Sequence, residues 1–219
     1  MNTGTHPVRD PAALSGPLSG LAFLAGLAGA LSTADVPYPR PGSDAETIRR
    51  FFSGNRGSAR LSSAGQLLSA ALLGRFTSCV VRLAGASGPG SRAVRAAAAV
   101  GGATAAVTLA TSGLLTAALT TDRAADDDRA VALHRRAFLA GGVAHGVGYG
   151  LLVGALGMAG ERTGVLPRVW ARVAMGSAGA NLLTPLYLVA EPAAVVIPAG
   201  RFSGLVLQTV AGLRMARGR

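Results

Sequence analysis

Four polar residues lie within long apolar stretches of this sequence and could take part in chemistry: Arg75, His145, Asn181 and Arg201. Ionisable side chains are costly in hydrocarbon and usually face a helix-bundle interior or a water-filled cavity. Arg201 has no acidic residue in its own stretch, so a bound anion is one expected partner. Arg, His and Asn together could hold a carboxylate or phosphate through charge-assisted hydrogen bonds. Tyr149 lies four residues after His145 and therefore shares its helix face.

Each of these residues also has a purely structural interpretation. A neutral histidine that donates one hydrogen bond to a carbonyl is more common than a proton carrier. An intramembrane asparagine commonly links two helices, with a contribution of about 0.6 kcal/mol. Arg75 could extend towards lipid headgroups, and Glu191, ten residues before Arg201, is an alternative partner for that arginine.

Glycine recurs at every fourth position in two apolar stretches. The residues are Gly142, Gly146, Gly150, Gly154, Gly200 and Gly204. This spacing predicts a groove into which another helix backbone can approach closely. We interpret the grooves as helix packing within one bundle, with a homo-oligomer or a partner membrane subunit as the alternative.

The elements that must position these residues are membrane-spanning helices. Half of the 219 residues are hydrophobic and only 14% are charged, and the apolar stretches have the length of about 20 residues that crosses about 30 Å of hydrocarbon. We predict an all-α, polytopic transmembrane bundle of about six spans, flanked by an N-terminal segment 1–17 and an Arg-rich tail 216–219. The predicted spans are about 18–34, 61–84, 94–120, 137–159, 169–190 and 193–215.

The first span and the orientation leave alternatives open. Arg9 before the span, and Ser32 and Ala34 before Asp35, are also typical of a signal peptide, although the apolar run is long for one. Arginines in the loops divide ten to nine between the two sides and do not decide the orientation. Most acidic residues lie in the loops that would be external if the N-terminus is inside. We therefore predict that both termini lie in the cytoplasm and that the protein is in the plasma membrane.

The basic charge indicates contact with lipid. All 21 basic residues are Arg and the formal net charge is +11, a balance that would indicate nucleic acid in a soluble protein. Here most arginines lie at the ends of apolar spans, where they meet lipid headgroups. Membrane lipids, and not nucleic acid, are therefore the predicted partner. Abundant Ala and Gly without Lys are typical of a high-GC bacterial genome.

The first external loop predicts a short amphipathic helix. Ser43 followed by Glu46 fits a capping box that opens a helix, and Ile48, Phe51 and Phe52 fall on one side of it. Such a helix lies in the membrane interface or across the mouth of the bundle. It could cover the ends of the spans or form a lid over a cavity.

The same loop carries a resemblance to a known group of proteins. Its residues are Glu46, Arg49, Arg50, Phe51, Phe52, Asn55 and Arg56. One span, this external segment and five further spans with an Arg-rich end resemble a broad group of uncharacterised bacterial six-helix membrane proteins. The resemblance implies that topology, and it implies no activity.

No motif for catalysis, metal binding or a cofactor is present in the sequence. The single Cys79 excludes an intrachain disulfide. His6 and His134 lie outside the apolar stretches, so no intramembrane histidine pair is available for haem or zinc. No predicted span contains Asp, and the serines are scattered. We therefore predict a protein that is not an enzyme and that has no cofactor and no metal.

Two functional interpretations remain. The first is a protein that binds or transports a small anionic or amphipathic solute in a polar pocket near the midplane, formed by Arg201, His145 and Asn181. The second is a structural or interaction subunit whose buried polar groups fix helix register. The first predicts a wet cavity that reaches Arg201, whereas the second predicts close-packed helices with Arg201 paired to protein.

Overall fold

The computed structural model describes residues 9–121 and 126–218, and over these ranges it contains helices and no strands. The predicted all-α class is therefore confirmed. The seven helices are α1 (Ser15–Thr33), α2 (Ala45–Gly54), α3 (Arg56–Gly85), α4 (Ser91–Ala118), α5 (Asp127–Arg162), α6 (Arg168–Leu182) and α7 (Val196–Arg217). Short 3-10 helices cover Pro11–Leu14, Thr184–Leu188 and Glu191–Val195.

Within residues 9–121 and 126–218, five stretches are long and apolar enough to cross a membrane, compared with about six predicted spans. They are Pro11–Thr33, Arg56–Gly85, Ser91–Ala118, Asp127–Arg162 and Pro192–Arg217. The predicted fifth span, 169–190, is instead the 15-residue helix α6 followed by a 3-10 helix. Pro185 explains this difference, because it has no amide hydrogen to continue the α-helical pattern. At about 1.5 Å per residue, α6 alone covers only about 22 Å.

Six helices form a closed ring around the core. In order of contact around the ring they are α1, α3, α4, α5, α6 and α7, and α7 returns to α1. Helix α5 also contacts α3 and α7 across the ring. It is the most central helix, because 72% of its most apolar window is buried, compared with 22% for the stretch that contains α7.

Glycine permits the closest backbone contacts in this ring. A Cβ on Gly65 of α3 would lie 2.7 Å from the Cα of Gly26 in α1, and a Cβ on Gly148 of α5 would lie 2.6 Å from the backbone nitrogen of Ala105 in α4. No side chain fits at such distances. These two crossings therefore depend on the missing side chains, as is common for helices packed within membranes.

The predicted amphipathic helix is present as α2, but its cap is one residue later than predicted. The Asp44 carboxylate, and not Ser43, accepts a hydrogen bond from the backbone N–H of Thr47 at 2.7 Å. Hydrogen bonds from the backbone and the side chain of Thr47 lower the pKa of the Asp44 carboxyl group. Glu46 forms an ion pair with Arg50 at 2.6 Å and does not complete a capping box. Aspartate is as good an N-cap as serine, so the helix begins there.

Helix α2 lies over one end of the bundle with its apolar side inward. Ile48, Phe51 and Phe52 are buried in a small core shared with residues of α3, α5 and the end of α4. Arg49 forms an ion pair with Asp127 of α5 at 2.9 Å. The helix is thereby attached to the start of α5.

Candidate functional site

A cavity of about 350 Å³ lies beneath the segment that joins α1 to α2. Its wall is mainly apolar and includes Phe23 and Leu27 of α1, Phe138 of α5 and Ile197 of α7. On α1 the lining extends from Phe23 to the residue that follows the helix, Ala34, a distance of about 16 Å at 1.5 Å per residue. The volume falls within the range of small-molecule sites, about 300–1,000 Å³.

Among the described residues that line this cavity, Arg201 is the only arginine. Its guanidinium donates a hydrogen bond to the carbonyl of Gly141 and lies 4.9 Å from the ring centroid of Phe23. Among the side chains that the structure describes, no carboxylate forms an ion pair with it. The suggested partner Glu191 has a side chain outside the described set. Since a guanidinium has five N–H donors, donors remain for an anionic ligand.

The carbonyl that binds Arg201 belongs to an irregular turn of α5. Residues Leu139–Ala144 form a π-helix within the otherwise α-helical α5, and such segments are frequent at functional sites. Gly141 and Gly142 have weak helical preference. A Cβ on Gly141 would also contact the Ser112 side chain too closely. The two glycines therefore let the backbone carbonyl of the π-helix approach the cavity.

His145 and Tyr149 lie beside Arg201, but they make bonds within the protein. The Nδ1 of His145 lies 2.9 Å from the carbonyl oxygen of Ala105, and its ring stacks on Tyr149 at 5.3 Å. The Tyr149 hydroxyl donates to the Oε1 of Gln208 at 2.9 Å, and the Gln208 amide donates to the Gly16 carbonyl at 2.7 Å. This series of hydrogen bonds and one ring stack links α4, α5, α7 and α1.

The space between these groups and Arg201 is too small for a solute. Arg201, His145 and Tyr149 share the lining of a gap of about 10 Å³, which is about the minimum that one water needs. Sequence reasoning did not identify Gln208, although an amide in an apolar stretch was the available signal. His145, Tyr149 and Gln208 form a floor beneath Arg201.

Asn181 and Arg75 lie away from the cavity. The Asn181 amide donates to the carbonyls of Ser177 at 2.9 Å and Gly200 at 2.8 Å, so it joins α6 to α7. Arg75 is exposed on the outer surface of α3. The structure therefore places Arg201 at the cavity but not Asn181 or Arg75, because Asn181 faces α7 and Arg75 faces outward from α3.

The repeated glycines lie against elements of this same chain. In α5, Gly146 and Gly150 face Thr184 and residues of α6, and Gly154 faces Ala178, while Gly142 lies under the ring of Phe138. In α7, Gly204 lies against the Tyr149 ring and Gly200 against Asn181. The short helix α6 therefore packs against the glycine repeat of α5.

The loop between α1 and α2 covers the cavity and is attached to α4 and α5. The Tyr38 ring packs on Phe51 at 5.1 Å and on His134 at 6.0 Å. Its hydroxyl is hydrogen-bonded to Thr116. The buried His134 ring bonds to the backbone of Pro39, whose carbonyl is the acceptor because proline has no N–H. Sequence reasoning did not identify these attachments.

In the part of the chain that the structure describes, the fold is all-α and five helices are long and apolar enough to span a membrane. In the described ranges, no group of three or more His, Cys, Asp or Glu side chains could hold a metal ion. Comparison with protein-family models, with curated proteins and with solved structures finds no match to this chain. No family is therefore identified, and the resemblance noted in the sequence supports only the presence of long apolar helices.

Proposed function

We propose that this chain is a multi-pass protein of the cell membrane that binds a small amphipathic carboxylate. The cavity that reaches Arg201 is the single observation that carries the proposal. The apolar body of the ligand occupies the space between α1, α5 and α7. Its carboxylate accepts charge-assisted hydrogen bonds from Arg201, which are about twice as strong as neutral ones.

The partners of Arg201 favour this role over a purely structural one. A structural role calls for an arginine paired with protein, since an unpaired charge in hydrocarbon is costly. The described residues supply one backbone carbonyl and one aromatic face, and neither neutralises the charge. A ligand carboxylate would neutralise it.

The shape of the cavity supports a ligand with an apolar body and one anionic group. The wall is apolar over most of its length and carries its cation at the Phe23 level of α1. Ser62, Gln66, Ser112 and Thr116 add a few hydrogen-bonding groups to the mainly apolar lining, which is typical of a site for a ligand with an apolar body and a small number of polar atoms. A single-ring, fused-ring or medium-chain carboxylate buries its apolar part and presents one anionic group. Binding of this kind needs no covalent step, so the proposed role is not enzymatic.

The orientation of the protein is part of the proposal. The backbone N–H of Asp10 donates to the Met215 carbonyl at 3.1 Å, so both ends of the described chain lie at the same end of the bundle. In this proposal that end faces the cytoplasm, α6 and the 3-10 helix after it return the chain to the other end, and α2 and the loop over the cavity face the opposite side of the membrane. Arginines at the far end of the bundle, such as Arg92, Arg95 and Arg217, would then meet anionic lipid headgroups. The tail residue 219 and residues 1–8 lie outside the described ranges.

Equilibrium binding of 2-naphthoate to the full chain in lipid nanodiscs tests the proposal. This fluorescent carboxylate has a fused apolar ring and one anionic group. We expect saturable binding, and we expect Arg201→Gln to raise Kd about tenfold or more, because a hydrogen bond to a charged group contributes about 1.5–3 kcal/mol. Arg75→Gln is the matched control and should leave Kd unchanged, since Arg75 lies on the outer surface.

Partition into lipid must be separated from binding. Empty nanodiscs measure the partition, and 2-naphthalenemethanol supplies the same ring without charge. The neutral compound should bind weakly and should respond little to Arg201→Gln. Equal affinity for the acid and the alcohol, or an unchanged Kd in Arg201→Gln, would overturn the proposal.

A further inference from the structure

A second cavity, of about 400 Å³, adjoins the first. It lies under residues 41–43, between α2, the start of α5 and the 3-10 helix Thr184–Leu188. Pro41, His134 and Phe138 line both cavities. Those three residues therefore form a shared wall, and the two cavities are neighbouring compartments.

The second cavity, which we call the outer cavity, is the more polar of the two. It is lined by Arg135, Ser43 and the ring of Tyr187, together with His134. Arg135 is exposed and brings a positive charge to the cavity. Its surroundings suit an anionic group that still carries part of its hydration, whereas the inner cavity suits an apolar body.

Phe138 is the residue of the shared wall that lies next to the π-helix. Its ring packs edge-on against Tyr187 at 4.9 Å and lies over Gly142, where no side chain supports it. The π-helix begins at the next residue, Leu139. A single π-turn in a helix carries one extra residue, so its conversion to α-helix would rotate the residues before it relative to those after it.

We propose that the outer cavity is a second subsite, in which Arg135 receives the carboxylate of the ligand before it passes Phe138 and reaches Arg201. This inference rests on the proposed function, because it supplies the route to the same inner site. Arg135 and Arg201 then bind one anionic group in succession, and Phe138 controls the step between them.

Binding kinetics of 2-naphthoate in nanodiscs of zwitterionic lipid, followed by stopped-flow fluorescence, test the route. Arg135→Gln should lower the association and dissociation rate constants by a similar factor of about three to ten. The substitution removes the intermediate binding site in the outer cavity and leaves the inner site intact. Arg136→Gln is the matched control. It makes the same charge change one residue away, but Arg136 lines neither cavity.

Substitution of the wall should have the opposite effect. Phe138→Ala should raise both rate constants several-fold while Kd changes by less than about threefold, since it lowers the barrier and not the affinity. Phe138→Leu keeps more of the packing and should give a smaller change of the same sign. Phe202→Ala, an exposed position on α7, controls for loss of a phenyl ring and should leave both rate constants unchanged.

The outcomes separate the two proposals. If Arg201→Gln raises Kd but either Arg135→Gln or Phe138→Ala gives the rate constants of its control, the inner site stands and this route is wrong. The ligand would then reach Arg201 another way, such as between α1 and α7 from the lipid. If the wild-type protein does not bind 2-naphthoate, the proposed function fails and this inference fails with it.

Discussion

Replacement of Arg201 by leucine is expected to stabilise the folded protein and to abolish carboxylate binding. A gain in stability together with a loss of binding is expected when a residue is retained because it binds a ligand. Functional residues commonly carry such a stability cost. A residue kept for the fold would show the reverse.

The expected magnitude follows from the surroundings of Arg201. Placing arginine at the centre of a membrane helix costs about 2.5–3.5 kcal/mol, whereas leucine is favourable by about 0.3–0.6 kcal/mol. The hydrogen bond to the Gly141 carbonyl returns about 0.6 kcal/mol. The contact with the Phe23 ring returns about 1–2 kcal/mol. Arg201→Leu should therefore raise the free energy of unfolding by about 1 kcal/mol.

The assay is the unfolding midpoint of the purified chain in lipid nanodiscs, measured without ligand. Two leucine substitutions serve as controls for loss of a buried polar group. Asn181→Leu loses hydrogen bonds to Ser177 and Gly200 and must fit beside Gly200, so it should lower stability by about 2 kcal/mol or more. His145→Leu loses its contact with Ala105 and should also lower it.

The order of the three variants decides the question. We expect Arg201→Leu above the wild type, and Asn181→Leu and His145→Leu below it. A midpoint for Arg201→Leu that falls as far as that of Asn181→Leu would refute the reasoning. Arg201 would then be a structural element, and the search for function should turn to partner proteins.

Two further predictions follow from single contacts. Gly148→Val should lower the unfolding midpoint strongly, because a Cβ there would lie 2.6 Å from the backbone nitrogen of Ala105, while Gly74→Val, which has open space, should change it little. Burial alone would raise the pKa of Asp10, but Arg82 outweighs it and lowers the pKa below 3.8. The ion pair, 2.6 Å long, should therefore stabilise the fold by under about 1 kcal/mol above about pH 4. That stability should be lost as the pH falls through the lowered pKa, and Asp10→Asn should remove this dependence in pH-resolved unfolding.

Local features of the fold were predictable because they depend on nearest neighbours in the chain. Apolar stretches bounded by charge predicted α1, α3, α4, the apolar part of α5 and α7, and the spacing of Ile48, Phe51 and Phe52 predicted the buried side of α2. The prediction that Ser43 caps α2 was wrong, because the next residue, Asp44, is an equally good cap and accepts the hydrogen bond from Thr47. The predicted span 169–190 holds an α-helix only as far as Leu182, since apolarity alone does not show where a helix ends before Pro185.

The candidate site was only partly predictable, because helix rotation decides which side chains meet. The intramembrane positions of Arg201, His145 and Asn181 were visible in the sequence. Of these three, only Arg201 lines the cavity of about 350 Å³, whereas Asn181 bonds between α6 and α7. Gln208, the bond between His134 and Pro39, and the second cavity depend on contacts between distant parts of the chain.

The sequence by itself determined that this is a helical protein with long apolar spans, an amphipathic segment near residue 48 and a charged residue at 201. These properties follow from local periodicity and from the energy of transfer into lipid. Only the tertiary structure decided that α1 and α7 leave a space between them and α5, that a π-turn presents its carbonyl to Arg201, and that a second cavity adjoins the first. Those features arise from close approach at particular glycines and from the order of helices in the ring, which no local pattern encodes.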